Sequence, residues 1–255
     1  MKFPKINIRN EIKLFVLFVL AFSAIAFVER KQDYKKIKEL NILIHDEGNN
    51  YFLDQEEVHK LVTADNSDFL IGREYAEVDL KAIEGRVRQN EYVSTTQAFK
   101  DLSGNLTIEI SLCKPIARII RSDKPDSYIC ESGKIIPTSE KFTPRVLLIS
   151  GDYLDDVNSG NLQADSAYQS LFGLVKYIIR DPFWKAQISQ INIDRRGDVI
   201  LYPQVTKQYI EFGKVENVGE KFLKLKYFYK KILPHKGWNH YARVNLEYEH
   251  QIICE

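Results

Sequence analysis

The stretch Leu106–Ile120, LTIEISLCKPIARII, alternates in its first half. Leu106, Ile108, Ile110 and Leu112 fall on one face, and Thr107, Glu109 and Ser111 on the other. This period of two is the signature of a half-buried strand. Pro115 then removes a backbone donor, so it belongs at an edge, a bulge or a kink. Ile116 to Ile120 reads as extended again, up to the polar break Arg121–Ser127. Pro115 is therefore the expected hinge between two domains, where one sheet finishes and the next begins.

The 255 residues suffice for two domains of ordinary size. Lys and Arg number 36 against 35 Asp and Glu, a formal charge of +1, so no nucleic-acid footprint is present. Fourteen Tyr and fourteen Phe suit sheet-rich domains. Cys113, Cys130 and Cys254 lack metal-like spacing. A hairpin centred near Asp123 is expected to set Cys130 opposite Ala117, about 13 Å along the strand from Cys113 at ~3.3 Å per residue. Bridged Cα atoms lie within about 7 Å. All three thiols are therefore expected to be reduced.

Leu14–Val28 is an uncharged apolar run, LFVLFVLAFSAIAFV. It spans ~22 Å as a helix, short for a ~30 Å hydrocarbon core. Ile12 and the snorkelling stems of Lys13 and Arg30 lengthen it. Residues 14–30 are thus an expected membrane anchor. Lys2, Lys5, Arg9 and Lys13 precede it, which keeps a short tail (1–13) cytoplasmic. A cleaved signal peptide is the rival, because Ala24-Ile25-Ala26 is an acceptable cleavage site. Either way the globular part is exported.

Between this run and the hinge, Ile37–Ile44 reads as a strand. Asp54 with Glu57 is a capping-box start for a helix carrying Val58, Leu61 and Val62 inward. A second helix, about 79–89, has Leu80, Ile83 and Val87 at helical spacing. Strands 92–100 and 106–112 follow, joined by a turn containing Gly104. The order β-α-α-β-β packs two amphipathic helices on one face of a small sheet, an α+β arrangement.

That order, following one apolar segment, resembles a POTRA domain (34–115). Over Pro115-Ile116-Ala117-Arg118 the chain resembles the bacterial cell-division family FtsQ/DivIB, whose POTRA domain ends in a strand closing on such a stretch. Later matches keep the same order. Tyr128–Pro137 resembles the family's hairpin, with Glu131 replacing the usual Asp of its turn. Val146–Gly151 resembles its apolar strand ending in Gly. Residues 166–180 form an amphipathic helix stopped by Asp181-Pro182. Strands 188–194, 199–202 and 209–213 follow, the first pair turned by Arg195–Asp198. The last helix carries Phe222, Leu225, Tyr229 and Ile232 inward and five lysines outward, and Pro234 ends it. The chain closes on one strand, 241–253. Residues 116–255 are thus expected to be a mixed α/β "β domain" with an exposed C-terminal edge strand. The short cytoplasmic tail and the near absence of residues beyond the last strand depart from the family pattern.

Motifs that carry chemistry are missing. The sequence has no phosphate loop, HExxH or GxSxG. His235 and His240 read as exposed loop residues, and the lysines of the last helix as a solvated face. No cofactor, metal, small-molecule substrate or catalysis is expected.

Along the final strand Val244, Leu246 and Tyr248 point one way and Arg243, Asn245, Glu247 and Glu249 the other. Such a strand is either an open edge or one protected by its charges. The resemblance implies a scaffold that links early and late division proteins and supports septal peptidoglycan synthesis. It implies FtsB- and FtsL-like coiled-coil membrane partners, and a single-pass inner-membrane location at the septum with the bulk periplasmic. In that family an aromatic of the last strand and an arginine of the preceding hairpin contact the partner. These fall on Tyr248 and Arg196, with His250, Gln251, Ile252 and Ile253 carrying the backbone ladder. Glu247 stands where the family often has Arg. The alternative reading is a periplasmic POTRA-containing module for transport or chaperoning.

Overall fold

The computed structural model describes residues 12–13, 15–23, 35–45, 50–155, 157 and 160–255. Of the expected anchor, 14–30, residues 15–23 are helical and exposed, as are 12–13 of the expected tail; the rest of the anchor lies outside the described residues. Among the described residues no helix is long and apolar enough to cross a membrane. The chain is mixed α+β and divides into two compact units, Met1–His45 with Leu53–Ser111, and Asp46–Phe52 with Leu112–Glu255.

In the first unit, β1 (Glu39–His45), α1 (Gln55–Val62), α2 (Leu80–Arg88), β2 (Val93–Lys100) and β3 (Asn105–Leu112) follow in sequence. The sheet order is β1-β3-β2, with β1 parallel to β3. The capping box at α1 is complete: Asp54 accepts from the Glu57 N–H at 2.8 Å and Glu57 accepts from the Asp54 N–H at 3.1 Å. Asp79 caps α2 by accepting from the Ala82 N–H. Val58, Val62, Ile83 and Val87 are buried, as are Leu106, Ile108 and Ile110 of β3. A 3-10 turn at Tyr75–Glu77, which the sequence did not announce, places the Tyr75 hydroxyl on the Asp101 and Asn105 carbonyl oxygens.

The second unit is built on β4 (Pro115–Ile119), β5 (Ser127–Cys130), β6 (Ile135–Pro137), β7 (Leu147–Ser150), α3 (Gln169–Arg180), α4 (Pro182–Gln187), β8 (Ile188–Ile193), β9 (Val199–Pro203), β10 (Tyr209–Gly213), α5 (Val218–Tyr227), α6 (Leu233–Lys236), β11 (Arg243–Asn245) and β12 (Ile253–Cys254). The strands form one sheet, β12-β11-β10-β9-β8-β7-β4-β5-β6. Its core joins Leu171, Leu174, Val175 and Ile178 of α3 to Ile149, Ile191 and Leu201 of the sheet. Trp184 packs its ring 4.8 Å from Phe222, and Phe222 lies 5.4 Å from Phe212, so α4, α5 and β10 share one aromatic cluster. Asp181 ends α3 and also caps α4, accepting from the Phe183 N–H at 2.8 Å, with Pro182 in the first turn, where its missing donor costs nothing.

Four expectations are corrected. Cys113 and Cys130 form a disulfide with their Cα atoms 5.8 Å apart. Ala117 pairs with Ile129, and a bulge between Pro115 and Ala117 sets Cys130 opposite Pro115. Cys113 sits in the short bend between β3 and β4, so straight-strand spacing overstated its distance. The final strand is not continuous from 241 to 253. The chain leaves β11 after Asn245, turns with His250 at φ +57°, and returns as β12, antiparallel to β11. Asn245 is therefore buried rather than outward-facing. Lys221, expected outward, is also buried, donating to the Phe212 and Lys214 carbonyl oxygens at 2.7 and 2.8 Å. Finally, the last helix does not stop at Pro234. It passes through a π-helical segment, Phe228–Ile232, into α6, where Pro234 sits in the first turn.

Candidate functional site

Two turns close the same end of the large sheet. β9 begins at Val199 opposite Gly213, where β10 ends. β10 runs parallel to β11, with Glu211 beside Asn245. The turn before β9, residues 194–198, and the turn after β11, residues 247–250, are thereby brought to one end. Arg196 stands on the first and Tyr248 and His250 on the second.

The first turn forms because Asp194 gathers local donors. Its carboxylate accepts from the Arg196 and Asp198 N–H groups, both at 2.9 Å, and Gly197 takes φ +81°. Chiefly the Asp198 N–H, with help from Arg196, holds the Asp194 carboxyl below the usual carboxylate range. The Arg196 side chain is 82% exposed, its Nε 3.2 Å from Asp194 Oδ2. Lys214 from the end of β10 reaches the Arg196 carbonyl oxygen and lies 3.2 Å from Asp198.

The second turn is held from α5. Lys224 Nζ donates to the carbonyl oxygens of Leu246 at 3.0 Å and Tyr248 at 2.6 Å. Asn245 Oδ1 accepts from the Glu247 N–H at 2.8 Å. The Tyr248 ring is thus presented on a braced turn and is half exposed. His250 Nδ1 lies 3.9 Å from Glu220. Arg243 binds Glu211 of β10 at 2.7 Å and Glu255 at 3.0 Å, so one guanidinium spans β10, β11 and the last residue. Its hydrogen bond holds Glu211 below the usual carboxylate range, helped by Asn245.

Glu255 exchanges both backbone bonds with Arg243. Alternation then points the N–H and C=O groups of Cys254 and Ile252 away from β11, along a side where no strand pairs among the described residues. Ile252 lies partly on the core, while Gln251 and Ile253 are exposed. The structure therefore places Tyr248, His250, Gln251, Ile252 and Ile253 in one turn-and-strand unit. Arg196 shares their end of the sheet, with β10 and β11 between its own hairpin and β12. Lys224, Arg243, Glu211 and Asn245, which brace this unit, were not found by sequence reasoning. Lys224 sits in a lysine-rich run that looks uniformly solvated, and Glu211 becomes their partner only through sheet pairing. Among the described residues no group of three or more His, Cys, Asp or Glu could hold a metal ion.

A family model described as FtsQ/DivIB, C-terminal related, matches residues 114–255, more than half of the chain. The chain belongs to the FtsQ/DivIB family. A POTRA-like domain match covers residues 35–111, so the three-stranded unit of this FtsQ/DivIB chain is POTRA-like. No curated protein matches the chain. FtsQ/DivIB proteins are non-enzymatic division proteins, and the two domains together indicate a scaffold role in cell division.

Proposed function

We propose that this FtsQ/DivIB protein is a single-pass inner-membrane scaffold, anchored by residues 14–30, that presents its two domains to the periplasm at the septum. Its partners are FtsB- and FtsL-like coiled-coil membrane proteins, and binding them supports septal peptidoglycan synthesis. The observation that carries this reading is the C-terminal end of the nine-stranded sheet. A β12 edge on which, among the described residues, no further strand pairs, a braced and half-exposed Tyr248 and an exposed Arg196 together fit an added partner strand. The tyrosine offers a ring with a polar tip and the arginine a fork for a partner carboxylate. The Cys113–Cys130 disulfide supports export, because such bonds persist in oxidising compartments. The FtsQ-related match over 114–255 favours division over the transport or chaperone reading.

A fluorescent fusion in dividing cells tests the location, and a band at midcell is expected. A uniform envelope signal would overturn the divisome assignment. N-terminal sequencing of the membrane-bound protein tests the anchor; residues preceding Leu14 are expected, and a mature start at Phe27 would show a cleaved signal peptide instead.

A further inference from the structure

In the POTRA-like sheet β3 is central, paired on both sides, and β1 lies at an edge. Leu40, Ile42 and Ile44 pair with Leu106, Ile108 and Ile110, so each pair shares a face. The three β3 residues are 0% exposed, yet their β1 partners are only partly buried. The apolar layer thus runs to the sheet's margin, where among the described residues it is only half covered.

The backbone tells the same story. Just before β1, the Ile37 N–H donates to the Arg73 carbonyl oxygen and the Gly72 N–H to that of Ile37, both at 2.8 Å, so a strap covers the edge there. The Lys38 N–H turns the other way, to Gly104. By alternation the N–H and C=O groups of Glu39, Asn41, Leu43 and His45 point outward beyond the end of the strap. Among the described residues no strand pairs with that side of β1. β1 carries no proline, no bulge against β3 and no charged residue on its helix-facing side, the devices that usually blunt an edge.

Beside this edge lies a cavity of about 170 Å³, lined among others by Leu40, His59, Thr63, Phe69, Leu70 and Ile71. Phe69 and Ile71 are 75% and 64% exposed, high for large apolar side chains. A row of unpaired amides and carbonyls is satisfied by an extended backbone, and not by a helix or a lipid. The half-covered Leu40, Ile42 and Ile44 require apolar side chains at every second position of that backbone.

We propose that the β1 edge receives an extended segment of a partner protein with apolar residues at alternate positions, one of which fills the cavity beside Phe69. This surface is separate from the C-terminal edge and does not rest on the reading given for it.

A photoreactive phenylalanine analogue in place of Phe69, in the full-length protein in dividing cells, tests the proposal. The expected result is a polypeptide adduct whose crosslinked segment alternates apolar residues. Its yield should fall about tenfold in an Ile71→Asp background, as for a contact residue at an interface. In the isolated adduct, amide exchange at Asn41 and Leu43 should slow. Phe69 and Ile71 are exposed, so thermal melting should be unchanged and serves as the folding control. No polypeptide adduct at position 69, an adduct to lipid alone, or a yield that Ile71→Asp leaves unchanged would each overturn the proposal. The same analogue in place of Tyr248 reports on the C-terminal edge alone, so the two surfaces succeed or fail separately.

Discussion

Arg243 joins three pieces of chain with one side chain, and its value depends on the charge of Glu211. Glu211 titrates below its ordinary value of 4.5 in the folded protein, because Arg243 and Asn245 donate to its carboxylate. A carboxyl lowered in this way contributes stability that is fully present above its unfolded value and lost as pH falls through its folded value. Glu211→Gln should therefore cost about 2 kcal/mol near neutrality, the scale of a hydrogen bond to a charged group. The difference from the natural protein should shrink as pH drops below 4.5. Urea melts at pH 7 and pH 3 check this; an equal gap at both would show that the Glu211 charge plays no part. None of this pairing was legible beforehand. Glu211 and Arg243 lie 32 residues apart, and only the parallel register of β10 on β11 makes them neighbours.

The elements differ in how openly the sequence declares them. β3 and α1 were legible because alternation, the capping box and the pattern of Val58 and Val62 all agree. The C-terminal hairpin was not, because apolar alternation continues past Leu246 while Lys224, from a distant helix, joins Asn245 in turning the backbone. The disulfide was hidden by the bulge at Pro115, which local pattern does not reveal. Removing it with Cys113→Ser should cost about 3 kcal/mol on a chain-entropy argument for a loop with its ends 17 residues apart, read as a lower melting temperature. An unchanged melt would mean the bridge contributes nothing. Gly151, which ends β7 at φ +104°, is tighter still: a Cβ there would run into the Ile193 carbonyl oxygen. Gly151→Ala should therefore destabilise by more than about 1 kcal/mol from backbone strain alone, again by denaturant melt. At the open edge, Cys254→Pro deletes a donor that faces away from β11. It should impair partner binding while leaving the melt nearly unchanged, because an edge tolerates proline.

At the scale of the molecule, the division into a POTRA-like domain and an FtsQ-related domain places two strand edges, β1 and β12, on separate units. The succession of elements carried that organisation in the sequence, even though each motif alone was weak. What succession did not carry was the end of the chain, where a single long strand proved to be a braced turn and a two-residue edge strand. The central claim is that this end of the sheet is where the coiled-coil partners dock. Calorimetry on the full-length protein, titrated with the periplasmic segments of its FtsB- and FtsL-like partners, tests it most directly. Tyr248→Ala should weaken binding roughly thirtyfold, about 2 kcal/mol on an interface hot-spot scale. Arg196→Ala should weaken it further in the double variant, with circular dichroism unchanged because both side chains are at least half exposed. Folded variants that bind at full strength would contradict the account and move the docking surface elsewhere on the protein.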